Sequence, residues 1–142
     1  MAACFEFAYS LVGGNYPPVK RKYPVAASQT LVVGDALAFS SGQLVKAGDG
    51  SVIAAICAQV ATTLAAGTLI EVEVVQRSHV WKAVASADAT TYVLNGTSAY
   101  DLTAAQLVNL ADTTGGGIRI IAQPDPSDLT IIHCQITNPF FG

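Results

Sequence analysis

The sequence has little charge, since only 12% of its 142 residues are Asp, Glu, Lys or Arg, about half of the usual share. Hydrophobic residues make up 51% of the chain, the opposite of the balance that produces disorder. Soluble surfaces normally carry more charge, so we expect self-association or a large partner to cover part of this surface. The formal net charge of -3 gives no broad positive surface for nucleic acid.

The chain also lacks paired cysteines. Cys4, Cys57 and Cys134 show no C-x-x-C spacing, which argues against a zinc site. Cys57 and Cys134 stand in apolar runs and are predicted to be small buried hydrophobic residues, as in a protein made in a reducing cytoplasm. The N-terminus has no basic start and carries Glu6 in its apolar run, so it is a poor signal peptide. The uncharged stretch 50–70 contains polar residues and indicates strands rather than a membrane span.

Aromatic residues and prolines are concentrated in the first 29 residues. Proline fixes the backbone and removes a hydrogen-bond donor, so we predict an extended N-terminal arm at 1–29 and a single domain at 30–142. Phe5, Phe7 and Tyr9 alternate, which indicates a short strand with one aromatic face. We expect this arm to lie against its own domain, a sister subunit or another protein.

From residue 30 onward, short apolar runs alternate with turn signals such as Gly34-Asp35 and Ser41-Gly42. The stretch "TLIEVEVVQ" alternates apolar residues with glutamates and predicts a half-exposed strand, with "SHVWKAVA" as its hairpin partner. The turn "PDPSD" separates a final predicted hairpin formed by "IRIIAQ" and "LTIIHCQIT". About eight short strands predict an all-β fold, a compact barrel or sandwich.

One short helix is predicted within this all-β fold. Thr103 followed by Gln106 matches a capping box, in which each side chain bonds the other residue's backbone. Leu102, Ala105 and residues 107–110 supply a partly apolar face. We expect the helix to end near Asp112.

The densest cluster of titratable side chains is "IEVEVVQRSHVWKA". Glu71 and Glu73 would lie about 6–7 Å apart on one strand face, a spacing that two carboxylates could use on a glycosidic bond. Simple alternation explains the same pattern as an exposed strand face. His79 could join them as a metal ligand, but the ligand spacings of metal sites are missing. Cross-strand pairing with Arg77, His79 or Lys82 is the favoured interpretation.

The remaining candidates for catalysis are also weak. His133 and Cys134 are neighbours on a predicted strand and therefore point to opposite faces. No G-x-S-x-G motif or phosphate-binding glycine loop is present. A lone Trp81 on an apolar strand indicates a core or interface residue. The sequence therefore predicts no catalytic residues, no metal site and no cofactor, in a protein that is not an enzyme.

Five stretches carry a resemblance over residues 26–137: "AASQTLVVGDALAFSSGQLVKA", "VIAAICAQ", "LAAGTLIEVEVV", "HVWKAV" and "IRIIAQPDPSDLTIIHCQIT". In this order they resemble the small capsid decoration, or cement, proteins of tailed bacteriophages. The resemblance implies a structural virion protein that binds the outside of an icosahedral capsid. Such a protein clamps neighbouring capsid subunits against the internal pressure of the DNA.

The resemblance also implies partners and contact residues. The partners would be the major capsid protein and further copies of the chain in a homotrimer, with no nucleic acid or membrane. The location would be the capsid exterior, after synthesis in the host cytoplasm. The expected capsid-binding arm residues are Phe5, Phe7, Tyr9, Tyr16, Lys20, Arg21, Lys22 and Tyr23, and the expected subunit-interface residues are Trp81, Phe140 and Phe141.

Two alternatives remain open. One is a β-barrel module that binds a ligand such as carbohydrate through Trp81, Glu71 and Glu73. The other is a small hydrolase that uses the two carboxylates.

Overall fold

The computed structural model describes residues 5–12 and 16–141. Within these residues the chain forms thirteen strands in three sheets, with no helix and no closed barrel. The predicted all-β fold is therefore confirmed. The strands are β1 (Glu6–Ser10), β2 (Lys20–Pro24), β3 (Thr30–Leu31), β4 (Ala36–Ser40), β5 (Gln43–Lys46), β6 (Ala55–Cys57), β7 (Ala61–Thr62), β8 (Leu69–Val74), β9 (His79–Ala85), β10 (Asp101–Ala104), β11 (Leu107–Asn109), β12 (Ile118–Ala122) and β13 (Ile131–Ile136).

The strands form two large sheets and one small one. Sheet A has the order β10-β11-β9-β13-β12, and β1 also pairs with β9, on the side where β11 pairs. Sheet B has the order β2-β8-β6-β4-β5. Sheet C contains only β3 and β7. The predicted final hairpin is confirmed, because β12 pairs antiparallel with β13.

The central strands of sheet B, β4 and β6, are buried on both faces by two separate hydrophobic clusters. Along β4, Ala36 and Ala38 belong to the larger cluster shared with sheet A, whereas Leu37 belongs to the smaller one. Along β6, Ile56 joins the larger cluster and Cys57 the smaller one. Strands buried on both faces are continuous apolar runs rather than alternating ones, which explains the runs "ALAF" and "AAIC".

The predicted hairpin of β8 with β9 is wrong. β8 pairs with β2 and β6 in sheet B, whereas β9 pairs with β1, β11 and β13 in sheet A. The segment 75–78 therefore carries the chain from one sheet to the other, and buried Val75 anchors that crossing. Glu71 and Glu73 consequently face β2 rather than the residues of β9.

The predicted helix is also wrong, because β10 and β11 form a short antiparallel hairpin in its place. Leu102 lies opposite Val108, and both side chains are buried. A capping box requires the Gln106 side chain to turn back to the backbone N–H of Thr103, but Gln106 instead donates a hydrogen bond to Asp35. The apolar residues therefore fit two short strands as well as they fit a helix, and the contact of Gln106 with Asp35 favours the strands.

The N-terminal segment contributes two edge strands. β2 is the end strand of sheet B, and β1 lies along one side of β9. Pro24 ends β2, and Val25 then bridges to β5. Proline lacks a backbone N–H, so a strand edge is where it is tolerated. Residues 6–10 and 20–24 are thus built into the same sheets as the rest of the described chain.

Candidate interaction surface

Four aromatic side chains gather at one place on the surface, and we call them the aromatic patch: Tyr23, Phe39, Phe140 and Phe141. The ring centroids of Tyr23 and Phe39 are 5.4 Å apart, and Tyr23 stacks on Phe141 at 5.7 Å. Phe39 lies 5.0 Å from Phe140, and the two terminal phenylalanines are 5.0 Å apart. Each ring therefore touches at least two others, which holds the patch in one arrangement.

Backbone hydrogen bonds place the C-terminal end of the chain in this patch. Thr137 donates its N–H to the carbonyl of Gly117 at 2.7 Å, directly after β13. Phe140 donates its N–H to the carbonyl of Ile53 at 3.0 Å. Pro139, between these two contacts, is buried. The two terminal rings are therefore fixed beside β2 and β4 by the main chain as well as by ring contacts.

The aromatic patch is unusually exposed for such apolar residues. Phe140 and Phe141 are 55% and 40% exposed. With Ser41 and Gly42 the patch lines an open groove of about 490 Å³. Contiguous exposed aromatic residues are typical of interaction surfaces, so the aromatic patch is a candidate for one. Sequence analysis identified Tyr23, Phe140 and Phe141 but missed Phe39, whose strand signal resembled that of a core residue.

The basic residues of β2 pair with the glutamates of β8. Lys20 lies opposite Glu73, and Lys22 lies opposite Glu71. Lys20 also forms a diagonal ion pair with Glu71 at 3.8 Å. Burial raises the pKa of Glu73, an effect that the charge of Lys20 partly offsets. The predicted cross-strand pairing of the glutamates with Arg77, His79 or Lys82 is therefore replaced by pairing with the lysines of β2.

The aromatic residues of the predicted arm have different surroundings. Phe5 is only 3% exposed and belongs to the main hydrophobic cluster, so it is not available to a partner. Phe7 and Tyr9 are half-buried against sheet A. Tyr16 is 73% exposed, and Lys20, Arg21 and Lys22 are exposed along β2.

Trp81 lies in the core of its own chain. Its side chain has no exposed surface, and Phe7 and His79 pack against it at 5.9 and 6.0 Å. The expectation that Trp81 forms a subunit interface is therefore corrected. For the same reason Trp81 cannot stack a sugar, so the carbohydrate alternative loses the aromatic residue on which it depended.

Three carboxylates converge at a place that sequence analysis did not single out. One oxygen each of Asp49, Asp101 and Asp112 lies within 4.8 Å of the others. Hydrogen bonding to Asp101, and then to Asp112, together with their negative charges, raises the pKa of Asp49. Carboxylate oxygens are the ligands that Ca²⁺ and Mg²⁺ prefer, so these residues could hold a divalent cation. The sequence did not indicate this cluster, because its three residues are separated in the chain and only the fold brings them together.

The two described thiols are confirmed as buried. Cys57 and Cys134 have no exposed surface. Burial raises the pKa of Cys134 to about 12 and also raises that of Cys57, which keeps both thiols protonated. Cys134 faces the core with Trp81, whereas neighbouring His133 contacts Tyr9 on the opposite face. Cys4 lies outside the described residues.

Comparisons with known proteins add no relative to this geometry. No protein-family model, no curated protein and no solved structure matches the chain. Among the described residues there is no helix of the length and hydrophobicity needed to cross a bilayer.

Proposed function

We propose that the chain is a structural virion protein that binds the outer surface of an icosahedral phage capsid and clamps neighbouring capsid subunits. The observation that carries the proposal is the aromatic patch, Tyr23, Phe39, Phe140 and Phe141, held in place on a surface with few charges. Protein interfaces are enriched in aromatic residues and depleted of charge at their centres. The resemblance to capsid decoration proteins supplies the kind of partner.

Self-association is the first role that we assign to the aromatic patch. Copies of the chain would meet through Phe140 and Phe141 around a local three-fold axis of the capsid, as a homotrimer. Burying these rings against a neighbouring copy removes apolar surface from water, and full burial of a Phe contributes about 1.5–3 kcal/mol. Three capsid contacts on one rigid trimer then reinforce each other, because the second and third are intramolecular.

Capsid binding is assigned to the outer edge of β2. This strand ends sheet B, so its backbone between Lys20 and Lys22 has one side without a neighbouring strand in the described chain. An extended segment of a capsid subunit could add to that edge as a further strand. Arg21 and Tyr16, both exposed, lie on or next to this edge and offer contacts to the same segment.

The self-association step is tested by mass measurement in solution. We expect a mass of three times the 14.6 kDa of one chain. The double variant F140S/F141S should yield folded monomers, because it removes the exposed rings of the aromatic patch. A matched control is L129S/V60S, which changes two exposed apolar residues outside the patch and should leave the trimer intact.

Capsid binding is tested separately with empty shells assembled from the major capsid protein of the encoding phage. The chain should co-sediment with the shells and raise their melting temperature, and F140S/F141S should weaken both effects. A chain that remains monomeric and never sediments with shells contradicts the proposal. If the chain forms trimers that do not sediment with shells, the assigned subunit interface stands and the capsid-binding role is rejected.

A further inference from the structure

Both histidines of the chain lie beneath the same edge strand, β1, on opposite faces of sheet A. The ring of Phe7 contacts His79 at 5.4 Å, and the ring of Tyr9 contacts His133 at 5.6 Å. The strand has a bulge between Phe7 and Tyr9, and this irregularity turns the two aromatic side chains to opposite faces. One strand therefore covers both imidazoles.

His79 is held as a neutral imidazole by its surroundings. It is 4% exposed and lies among the rings of Phe7 and Trp81. Its Nδ1 accepts a 3.3 Å hydrogen bond from the backbone N–H of Gln76. A proton on Nδ1 would face that N–H and break the bond, and the buried position leaves the new charge without water. Burial accordingly lowers the pKa of His79.

Protonation of His133, on the outer face of the sheet, is also unfavourable. This residue is half-buried under Tyr9 and lies directly opposite Lys82 of β9. Burial, and then the positive charge of Lys82, lower the pKa of His133. The like charge means that protonation of His133 adds repulsion as well as a desolvation cost.

The charged groups on the surrounding elements do not offset the cost of protonating His79 or His133. β1 contributes Glu6, which is paired opposite Lys82. The turn before β9 contributes exposed Arg77, and β12 contributes exposed Arg119, which lies opposite Gln135 rather than either histidine. The pKa of Asp125, in the turn before β13, is lowered mainly by hydrogen bonds from Ser127 and to a lesser extent by the charge of Lys82. Neither imidazole has a carboxylate partner among the contacts of the described residues.

We propose that β1 is an acid-releasable strand, whose attachment to β9 weakens when His79 and His133 are protonated while sheet B stays folded. Detaching β1 removes the rings that cover both imidazoles, so water can solvate the two new charges. β1 is an edge strand, and its one strand partner among the described residues is β9, so it can detach without breaking any other strand pairing. The inference does not depend on the proposed function.

The direction of the pH effect follows from linkage. Both histidines bind protons less readily when β1 is attached than when it is free, so the free state takes up protons first. Attachment is therefore strongest above about pH 6.5, the usual histidine value, and weakens as the pH falls from there towards the lowered values of the attached state.

Hydrogen exchange of the wild-type protein tests this directly. The Phe5 amide bonds the carbonyl of Gly34, and the Leu11 amide bonds that of Ser78, so both report on the attached segment. The Cys57 amide, bonded to the carbonyl of Asp35 in sheet B, is the internal control. Between about pH 7.5 and pH 5, protection of the first two amides should fall at least about fivefold more than that of Cys57, after correction for intrinsic rates.

The variant H79Q/H133Q should lose this acid response, because glutamine does not titrate. An NMR titration of the two wild-type imidazoles gives a second readout that needs no variant, and both should titrate below the usual histidine range. The proposal is overturned if the Phe5 and Leu11 amides keep their protection in acid. It is equally overturned if the variant retains the full response, or if both imidazoles titrate normally.

Discussion

Gln106 donates a 2.6 Å hydrogen bond from Nε2 to Oδ1 of Asp35, although the two residues are 71 positions apart in the chain. Asp35 is buried, and its Oδ2 accepts a 2.9 Å bond from the backbone N–H of Val32. The backbone N–H of Ala36 donates to the carbonyl of Ala105 beside this pair. The contact thus joins the β10–β11 hairpin of sheet A to the start of β4 in sheet B.

Replacing Gln106 with Ala should destabilise the protein by about 1–3 kcal/mol, because it leaves a buried carboxylate oxygen without its partner. The free energy of unfolding from chemical denaturation measures this effect. Q76A is the matched control, since Gln76 is exposed and its side chain makes no such bond. Equal stability of Q106A and Q76A would show that water replaces the lost contact.

The same pair of residues shows where sequence reasoning reached its limit. The spacing of Thr103 and Gln106 suits a helix start, and local sequence alone cannot reveal that Asp35 competes for the glutamine. Alternation along β8 and the turn before β13 were predictable, because each depends on neighbouring residues only. The partner of β8 was not predictable, because residues 75–78 have no feature that distinguishes a hairpin from a crossing between sheets.

Gly116 occupies a position where no side chain fits. A Cβ there would lie 2.1 Å from the carbonyl oxygen of Tyr100, a backbone atom that cannot move aside independently. We expect G116A to destabilise the fold by about 1–3 kcal/mol, the usual range for overpacking, and to lower the melting temperature accordingly.

Gly48 provides the control for this substitution. A Cβ at Gly48 meets nothing within 4 Å, and its backbone is not in the left-handed region. G48A should therefore be neutral or stabilising by up to about 1 kcal/mol, because alanine restricts the unfolded chain. Similar melting temperatures for the two variants would contradict the steric argument.

The cluster of three carboxylates, Asp49, Asp101 and Asp112, predicts how the stability of the protein depends on pH. The pKa of Asp49 is raised in the folded protein, chiefly through its hydrogen bond to Asp101. A raised acid pKa contributes stability that is present at low pH and lost as the pH rises through the raised value. The charged form of Asp49 is therefore unfavourable at neutral pH.

The variant D49N keeps the size and a hydrogen-bond donor but removes one charge. It should raise the melting temperature more at about pH 7 than at about pH 3, because the neighbouring carboxylates disfavour the charged form of Asp49. D128N is the control, because it also removes one exposed acid but lies outside this group. A benefit that is the same for both variants would indicate a net-charge effect instead.

The candidate surface was only partly accessible to sequence reasoning. Phe140 and Phe141 were expected to contact a neighbouring subunit, and both belong to the aromatic patch. Phe39 was not identified, because only the folded sheet shows that its side chain lies beside Tyr23. Trp81 was assigned two possible locations, core or interface, and burial under β1 selects the core.

The packing of β1 on Trp81 makes the N-terminal segment part of the fold. Deleting residues 1–22 removes β1, with Phe5 and Phe7, and more than half of β2. We expect that deletion to expose the only tryptophan, shift its fluorescence emission to longer wavelength and lower the melting temperature.

F7A should show the same changes to a smaller extent, at a cost of about 1–3 kcal/mol. Y16A, at an exposed side chain, should match the wild type within about 0.5 kcal/mol. An unshifted emission in the deletion would mean that Trp81 is shielded without β1, and residues 1–22 would then behave as a separable arm.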